Sequence, residues 1–135
     1  MKCWLVKSEP FKYSWDQFVK DRKTFWDGVR NYTARNNMRA MTMGDQVLFY
    51  HSNEGLAVVG IAEVAKEAYQ DPTTEDTNWV VVEIKPVKAI PNPVTLADIK
   101  QEPSLAEMQL VKQGRLSVSA VTPAEYKKIL KMGGL

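Results

Sequence analysis

The sequence predicts an α+β fold built as one domain. Three observations carry this: apolar runs of strand length alternate irregularly with capped helix starts, Pro and Gly punctuate most junctions, and no internal repeat, low-complexity tract or linker divides the chain. At 135 residues with 44% hydrophobic side chains there is material for one core and little for a second, so residues 1–135 are read as a single unit.

Residues 2–7 form a short β-prone run that Ser8-Glu9-Pro10 ends, because proline stops regular strand pairing and starts a loop. Ser14 with Gln17 is a capping-box pattern, and Trp15, Phe18 and Val19 then recur at helical spacing. Trp26-Asp27-Gly28 marks a turn, after which residues 32–43 place Ala34, Met38 and Met41 on one helical face and Arg35 and Arg39 on another. Gly44-Asp45 precedes residues 46–51, which are apolar on both faces and so predict a buried strand. Asn53-Glu54-Gly55 reads as a hairpin loop into a further strand over 56–64.

Residues 68–78, rich in Asp, Thr and Glu and holding Pro72, predict an exposed loop. The best strand covers 79–84, with Val80, Val82 and Ile84 alternating against Trp79, Val81 and Glu83, and Pro86, Pro91 and Pro93 closing it. Three helix starts follow: Thr95 with Asp98, Ser104 with Glu107, and Thr122-Pro123 with Glu125. Gly114 and Gly133 stand at helix stops, and 115–121 is β-branched enough for a last strand.

Composition excludes several function classes. A net charge of +2 is too mild for a polycationic nucleic-acid coat, so any basic function is local. Residues 1–50 carry nine basic and five acidic side chains, 51–110 four and ten, and 111–135 five and one. If the ends meet in space, the two basic segments make one positive face. The single cysteine, Cys3, excludes an internal disulfide, and with one histidine, His51, there is no Cys/His zinc cage, so no metal is expected. The opening residues break their apolar run after four positions, which fits neither a signal peptide nor a membrane span. A cytoplasmic protein with no membrane partner is the expectation.

For chemistry, a Cys3–His51 nucleophile–base pair is weighed against a buried, inert thiol; no glycine-rich elbow or helix start near Cys3 would lower its pKa. Glycine-rich phosphate loops are absent, and Gly133-Gly134 cannot open a helix. The informative segment is 26–39. Asn31, Arg35 and Arg39 are spaced four apart, with Tyr32 and Asn36 alongside. Such a stripe is either a solvated helix face or an anion or nucleic-acid surface, where arginine forks bind phosphate and aromatics stack on bases.

Trp4-Leu5-Val6-Lys7-Ser8-Glu9-Pro10, Trp26-Asp27-Gly28-Val29-Arg30-Asn31-Tyr32 with Ala34-Arg35-Asn36-Asn37, Gly44-Asp45 before Phe49-Tyr50-His51-Ser52, Gly60-Ile61-Ala62 and Leu116-Ser117-Val118 together resemble the EVE domain family. The motifs run in order over nearly the whole chain. The resemblance implies a PUA-like mixed β pseudo-barrel flanked by short helices. It departs at Ser119-Ala120, where a glutamine and a proline are expected, at the rim of the implied pocket. YTH domains, readers of methylated adenine in RNA, are more distantly similar: Lys7-Ser8 falls where their first strand ends, and Trp26 resembles one wall of their aromatic cage.

The implied function is a non-enzymatic module, with no cofactor, that binds nucleic acid and takes a modified base, foremost a modified cytosine of DNA, into a pocket. A monomer is expected. Alternatives are a reader of modified RNA, an enzyme acting on a small molecule or base, with Glu9 and Asp27 the nearest acids, and a protein-interaction domain using the acidic loop 67–76. On side-chain chemistry, Trp26 is a stacking platform or a core tryptophan. Ser8, Asn31, His51 and Ser52 can read a base edge, although His51 equally suits a satisfied barrel histidine. Tyr32 lines the pocket or supports it from behind, and Trp79 is a second wall or packs against a helix. Lys7, Arg30, Arg35, Arg39 and Arg115 are candidates for phosphate or sugar contacts.

Overall fold

The computed structural model describes residues 2–135. Its strands are β1 (Cys3–Ser8), β2 (Thr24–Phe25), β3 (Gln46–His51), β4 (Ala57–Gln70), β5 (Val80–Thr95) and β6 (Val118–Val121). The helices are α1 (Trp15–Asp21), α2 (Tyr32–Ala40), α3 (Leu96–Gln101), α4 (Gln109–Lys112) and α5 (Pro123–Met132), with a 3-10 turn at Pro103–Leu105. All six strands join one sheet in the order β2-β5-β4-β3-β1-β6. The central β1–β3 pair is parallel, from Cys3 opposite Gln46 to Ser8 opposite His51, and the other pairs are antiparallel.

The sheet is buried on both faces, which is why its central strands read as unbroken apolar runs. Trp4, Val6, Val47, Phe49, Val64 and Val82 face α1 and α2 through Trp15, Phe18, Ala34 and Met38. Cys3, Leu5, Leu48, Tyr50, Val58 and Ile61 face Ile99, Leu105, Met108, Leu110, Tyr126 and Ile129 on the other side. The α+β class and the mixed sheet are therefore found, and the sheet stays open: β2 and β6 are its two edges, and no ladder joins them among the described residues. The outer edge of β6 is already occupied by helix side chains. Asn37 Nδ2 donates to the Val118 carbonyl at 2.8 Å, and the Ala120 N–H donates to Gln109 Oε1 at 3.2 Å.

Local capping chemistry sets most helix starts. Ser14, Asn31 and Thr95 accept from the N–H groups of Gln17, Ala34 and Asp98, and Thr122 with Glu125 forms a reciprocal capping box. The start expected at Ser104 is not found. Glu102 Oε1 accepts the Ser104 hydroxyl at 3.0 Å, Pro103 opens a 3-10 turn, and α4 begins only at Gln109, without a side-chain cap at Met108. The prolines also fail to close β5. β2 covers only Glu83 and Ile84, Pro91 and Pro93 fall in the register shift between Ala89 and Val94 where β4 offers no partner, and the strand runs on past Pro86, opposite Ala62, to Thr95. The acidic loop is shorter than expected because Tyr69 and Gln70 pair with Val81 and Val80. Likewise α2 stops at Ala40 with Met41 as its C-cap, and β6 starts only at Val118.

Two positions hold this frame. Gly60 lies opposite Phe49 in the β3–β4 register, and a Cβ there would run into the Trp15 ring. Asp45, 2% exposed, accepts from the Lys2 N–H, the Trp4 indole, and the N–H and hydroxyl of Thr42 at 3.0–3.2 Å. Burial alone would raise its pKa. The Thr42, Trp4 and Lys2 hydrogen bonds outweigh burial and hold the carboxyl below the usual aspartate range.

Gly60→Ala is expected to cost roughly 1–3 kcal/mol in chemical denaturation, through displacement of Trp15; an unchanged midpoint would show that the Trp15 ring can move at no cost. The depressed Asp45 pKa means that its stabilisation is complete above the ordinary aspartate value and is lost as pH falls through the folded value. Asp45→Ala, which strands several donors at ~1–3 kcal/mol each, should lower stability at neutral pH and flatten the acid limb of the stability profile. An acid limb equal to that of the parent would assign it to other carboxylates.

Candidate functional site

Where β1 ends, the chain turns back on itself. The Glu9 carbonyl accepts from the N–H groups of both Lys12 and Tyr13 at 2.9 Å, and the Ser8 hydroxyl donates to the Tyr13 carbonyl at 2.5 Å. Opposite this turn, β2 delivers Trp26, whose N–H donates to the Val82 carbonyl at 2.8 Å. Between them lies a cleft of about 330 Å³, lined by Lys7, Ser8, Glu9, Lys12, Tyr13, Thr24, Phe25, Trp26 and Asp27.

The half-buried Trp26 ring meets Phe49 at 5.6 Å and 82° and Tyr13 at 6.3 Å and 70°. Both contacts are edge-to-face, and no ring stacks in parallel on Trp26 among the described residues. Burial, together with the Asp21 carboxylate to which it donates at 2.9 Å, pushes the Tyr13 phenol up to about 12, so this wall stays neutral. Glu9 is held by Lys12 at 3.2 Å and accepts from Asn53 Nδ2 at 2.5 Å.

Of the residues predicted from sequence, Lys7, Ser8 and Trp26 meet in this cleft. His51 sits behind it: its Nε2 accepts the Trp15 N–H at 3.1 Å, which requires a neutral ring protonated at Nδ1. Burial pushes its pKa down, with Asp16 partly opposing. The Ser52 N–H donates to the Ser8 carbonyl at 2.9 Å, while the Ser52 side chain lines a second cleft with Lys7, Tyr50 and Gly114. Asn31 is committed as the α2 N-cap and, with Thr33 and Arg115, borders a third cleft.

Tyr32 and Trp79 do not reach the Trp26 cleft. They stack on each other at 5.1 Å and 28°, with the Arg30 guanidinium 5.5 Å from the Trp79 ring and that of Arg35 4.8 Å from the Tyr32 ring. Arg30 also pairs with the fully buried Asp71 at 3.0 Å. Arg39 is exposed on α2 and forms no ion pair or side-chain hydrogen bond among the described residues. Sequence reasoning missed Tyr13, Lys12, Thr24 and Phe25 as cleft residues. The adjacent Phe25-Trp26 pair was a usable signal; nothing in spacing links Tyr13 to Trp26.

The Cys3–His51 pair does not form. Cys3 lies opposite Gln46 and His51 opposite Ser8, so five strand positions, about 17 Å, separate them along the sheet. Burial also raises the Cys3 pKa, with Asp45 adding to it. Among the described residues no cluster of three or more His, Cys, Asp or Glu could hold a metal, and no helix is long and apolar enough to cross a membrane.

The family model of the EVE domain matches residues 2–132. Chicken thymocyte nuclear protein 1 is 33% identical over 163 aligned positions, covering 96% of this chain and 67% of that protein. A crystal structure of an Agrobacterium tumefaciens protein superposes with a TM-score of 0.98 at 51% identity, over 100% of this chain and 94% of that one. Human THYN1 protein, solved in complex with 5-methylcytosine-containing DNA, superposes with a TM-score of 0.91 at 30% identity, over 100% and 99% of the two chains. A YTH domain from Zygosaccharomyces rouxii reaches 0.60 at 17% identity over 98% and 86%, a likeness of fold alone. Relatives named for the nucleus give the cytoplasmic expectation no support.

The lowered His51 pKa means that its contribution to stability is complete above the ordinary histidine value and is lost as pH falls toward the folded value. Denaturation should therefore show higher stability at pH 7.5 than at pH 5.5, and His51→Gln should narrow the gap. Because His51 is the single histidine, an unchanged gap in the variant would place the titration on another group.

Proposed function

This chain belongs to the EVE domain family, and we propose that it is a nucleic-acid-binding module that takes a modified base, foremost 5-methylcytosine of DNA, into the Trp26 cleft without transforming it. The observation that carries the reading is the Trp26 ring itself, braced at Phe49 and Tyr13 by edge-to-face contacts and without a parallel stacking partner among the described residues. The human THYN1 protein solved with 5-methylcytosine-containing DNA, alike over the full length of this chain, supports the choice of ligand.

Taking a base out of its stack costs a few kcal/mol, which stacking on an aromatic at roughly 1–3 kcal/mol and hydrogen bonds to the base edge can offset. Phe25 and Tyr13 supply apolar wall for a methyl group, Ser8 retains acceptor capacity, and Asp27 is an exposed acceptor at the rim. In this reading Glu9 is a structural group, paired with Lys12 and bonded by Asn53. In this reading the module acts as a monomer.

Trp26→Ala should weaken binding to a 5-methylcytosine oligonucleotide by roughly 1–3 kcal/mol while unfolding stays cooperative. Titrations against unmodified DNA, the RNA equivalent and methylated adenine complete the comparison, and an affinity unchanged by the substitution would remove Trp26 as the platform.

A further inference from the structure

We propose that Phe11 is a wedge for duplex DNA: its ring enters the base stack at the layer that the modified base leaves when it moves into the Trp26 cleft. This rests on the reading above and deepens it, because it makes the target a base within a duplex rather than a base on a free strand.

The placement of the phenylalanines carries the inference. Of the four, Phe18 and Phe49 are fully buried, whereas Phe11 is 68% and Phe25 42% exposed. These two belong to the two segments that wall the Trp26 cleft, residues 7–13 and 24–27. Phe25 lines the cleft and so faces a base inside it. Phe11 does not line it. Its neighbours Glu9, Lys12 and Tyr13 do, which puts the Phe11 ring outside, at the lip. No aromatic ring packs against Phe11 among the described residues, and the Lys12 amine lies 5.9 Å from its centre. What adjoins the mouth of the cleft when a base is inside is the stack that the base came from.

The turn that carries the ring is braced before any ligand arrives. Pro10 and Phe11 are its central residues, closed by the Lys12 N–H donating to the Glu9 carbonyl at 2.9 Å, and proline in the first of these positions fixes its own φ. The Tyr13 N–H donates to the same carbonyl at 2.9 Å, and the Ser8 hydroxyl donates to the Tyr13 carbonyl at 2.5 Å. Asn53, from the loop after β3, donates to the Glu9 carboxylate and ties the turn to the sheet. A side chain on a turn held in this way loses little freedom on insertion. On the turn itself Lys12 offsets the Glu9 charge, so the lip does not repel a phosphate backbone.

A duplex needs such a ring and a single strand does not. A base taken out of a duplex leaves its neighbours unstacked across a layer of about 3.4 Å. Apolar side chains inserted between base steps fill such layers, and an aromatic ring stacks on any base it meets there. With the layer filled, the extruded base cannot return, and the cleft holds it against a stack that is already closed.

The test compares a duplex holding one 5-methylcytosine opposite guanine with the same methylated strand alone, by titration of the parent protein, Phe11→Ala and Phe11→Leu. The side chain is exposed, and thermal melts check the fold. Phe11→Ala should weaken duplex binding about tenfold and single-strand binding by less than about twofold. Phe11→Leu, which keeps an apolar wedge, should lose less on the duplex than Phe11→Ala. An unchanged duplex affinity in Phe11→Ala, an equal loss on duplex and single strand, or a parent protein that binds the methylated strand and not the duplex overturns the wedge. Single-strand affinity that Trp26→Ala leaves intact overturns the base-cleft reading instead, so the two failures are distinct.

Discussion

The Phe49 ring is the point on which the rest of the site depends. It is fully buried on β3, a strand held on one side by β1 and on the other by β4, so its position is fixed by two ladders. Phe18 stacks on it at 5.2 Å, and Trp15, Trp26 and His51 meet it edge-to-face at 5.4, 5.6 and 5.8 Å. Such pairs contribute roughly 0.5–1.5 kcal/mol each beyond the area they bury. Gly60, directly across the ladder, leaves the space that Trp15 fills. Trp26 directly follows a two-residue strand that could not hold a ring in place by itself; its contact with Phe49 and its backbone bond to Val82 make a cleft wall part of the core. A stacking platform with a fixed orientation loses little conformational freedom when a base arrives.

What the sequence reveals of this arrangement is its local chemistry. Ser14, Thr95 and Thr122 announce helices because a cap is made by residues three apart, and residues 46–51 announce a buried strand because both faces of that strand are apolar. Pro86, Pro91 and Pro93 mislead because their effect depends on whether β5 has a neighbour, which is a property of the sheet order. Asn31 misleads in another way. It shares a stripe with Arg35 and Arg39 by spacing, yet the helix begins one residue later, and its Oδ1 is engaged by the Ala34 N–H. The site is half legible for the same reason: Ser8 and Trp26 stand out within their segments, whereas the Tyr13 wall and the Tyr32–Trp79 stack depend on contacts between distant segments.

That stack changes how the arginines are counted. Arg30, Trp79, Tyr32 and Arg35 are linked by successive cation–π and stacking contacts, and Asp71, buried and bonded by Thr73, fixes the Arg30 end. Arg35 Nη1 also reaches the Asn78 carbonyl at 3.3 Å, so the loop over residues 71–79 is fastened to the start of α2. Three of the five cations that the sequence offers for phosphate contacts thus have structural partners, because Lys7 Nζ also donates to the Gly114 carbonyl at 2.7 Å. Lys7, Arg39 and Arg115 lack a carboxylate partner among the described residues, as does Lys100, which sequence reasoning did not select. The net charge of +2 is the small difference between eighteen basic and sixteen acidic side chains; what counts for an anionic strand is where the cations without a carboxylate partner lie.

Magnitudes divide the labour of a modified-base reader between these parts. A methyl group that leaves water for an apolar wall contributes about 0.8 kcal/mol, close to a fourfold preference, so the methyl group alone cannot supply the affinity. Stacking at roughly 1–3 kcal/mol largely offsets the cost of extruding the base. The remaining affinity has to come from phosphate contacts, which are sensitive to salt, whereas the methyl contact inside a cleft is not. A reader built in this way shows an affinity that falls with ionic strength and a methyl preference that does not. In the proposed function discrimination then rests on keeping water off the apolar wall, and hence on the rigidity with which Phe49 holds Trp26 against Tyr13.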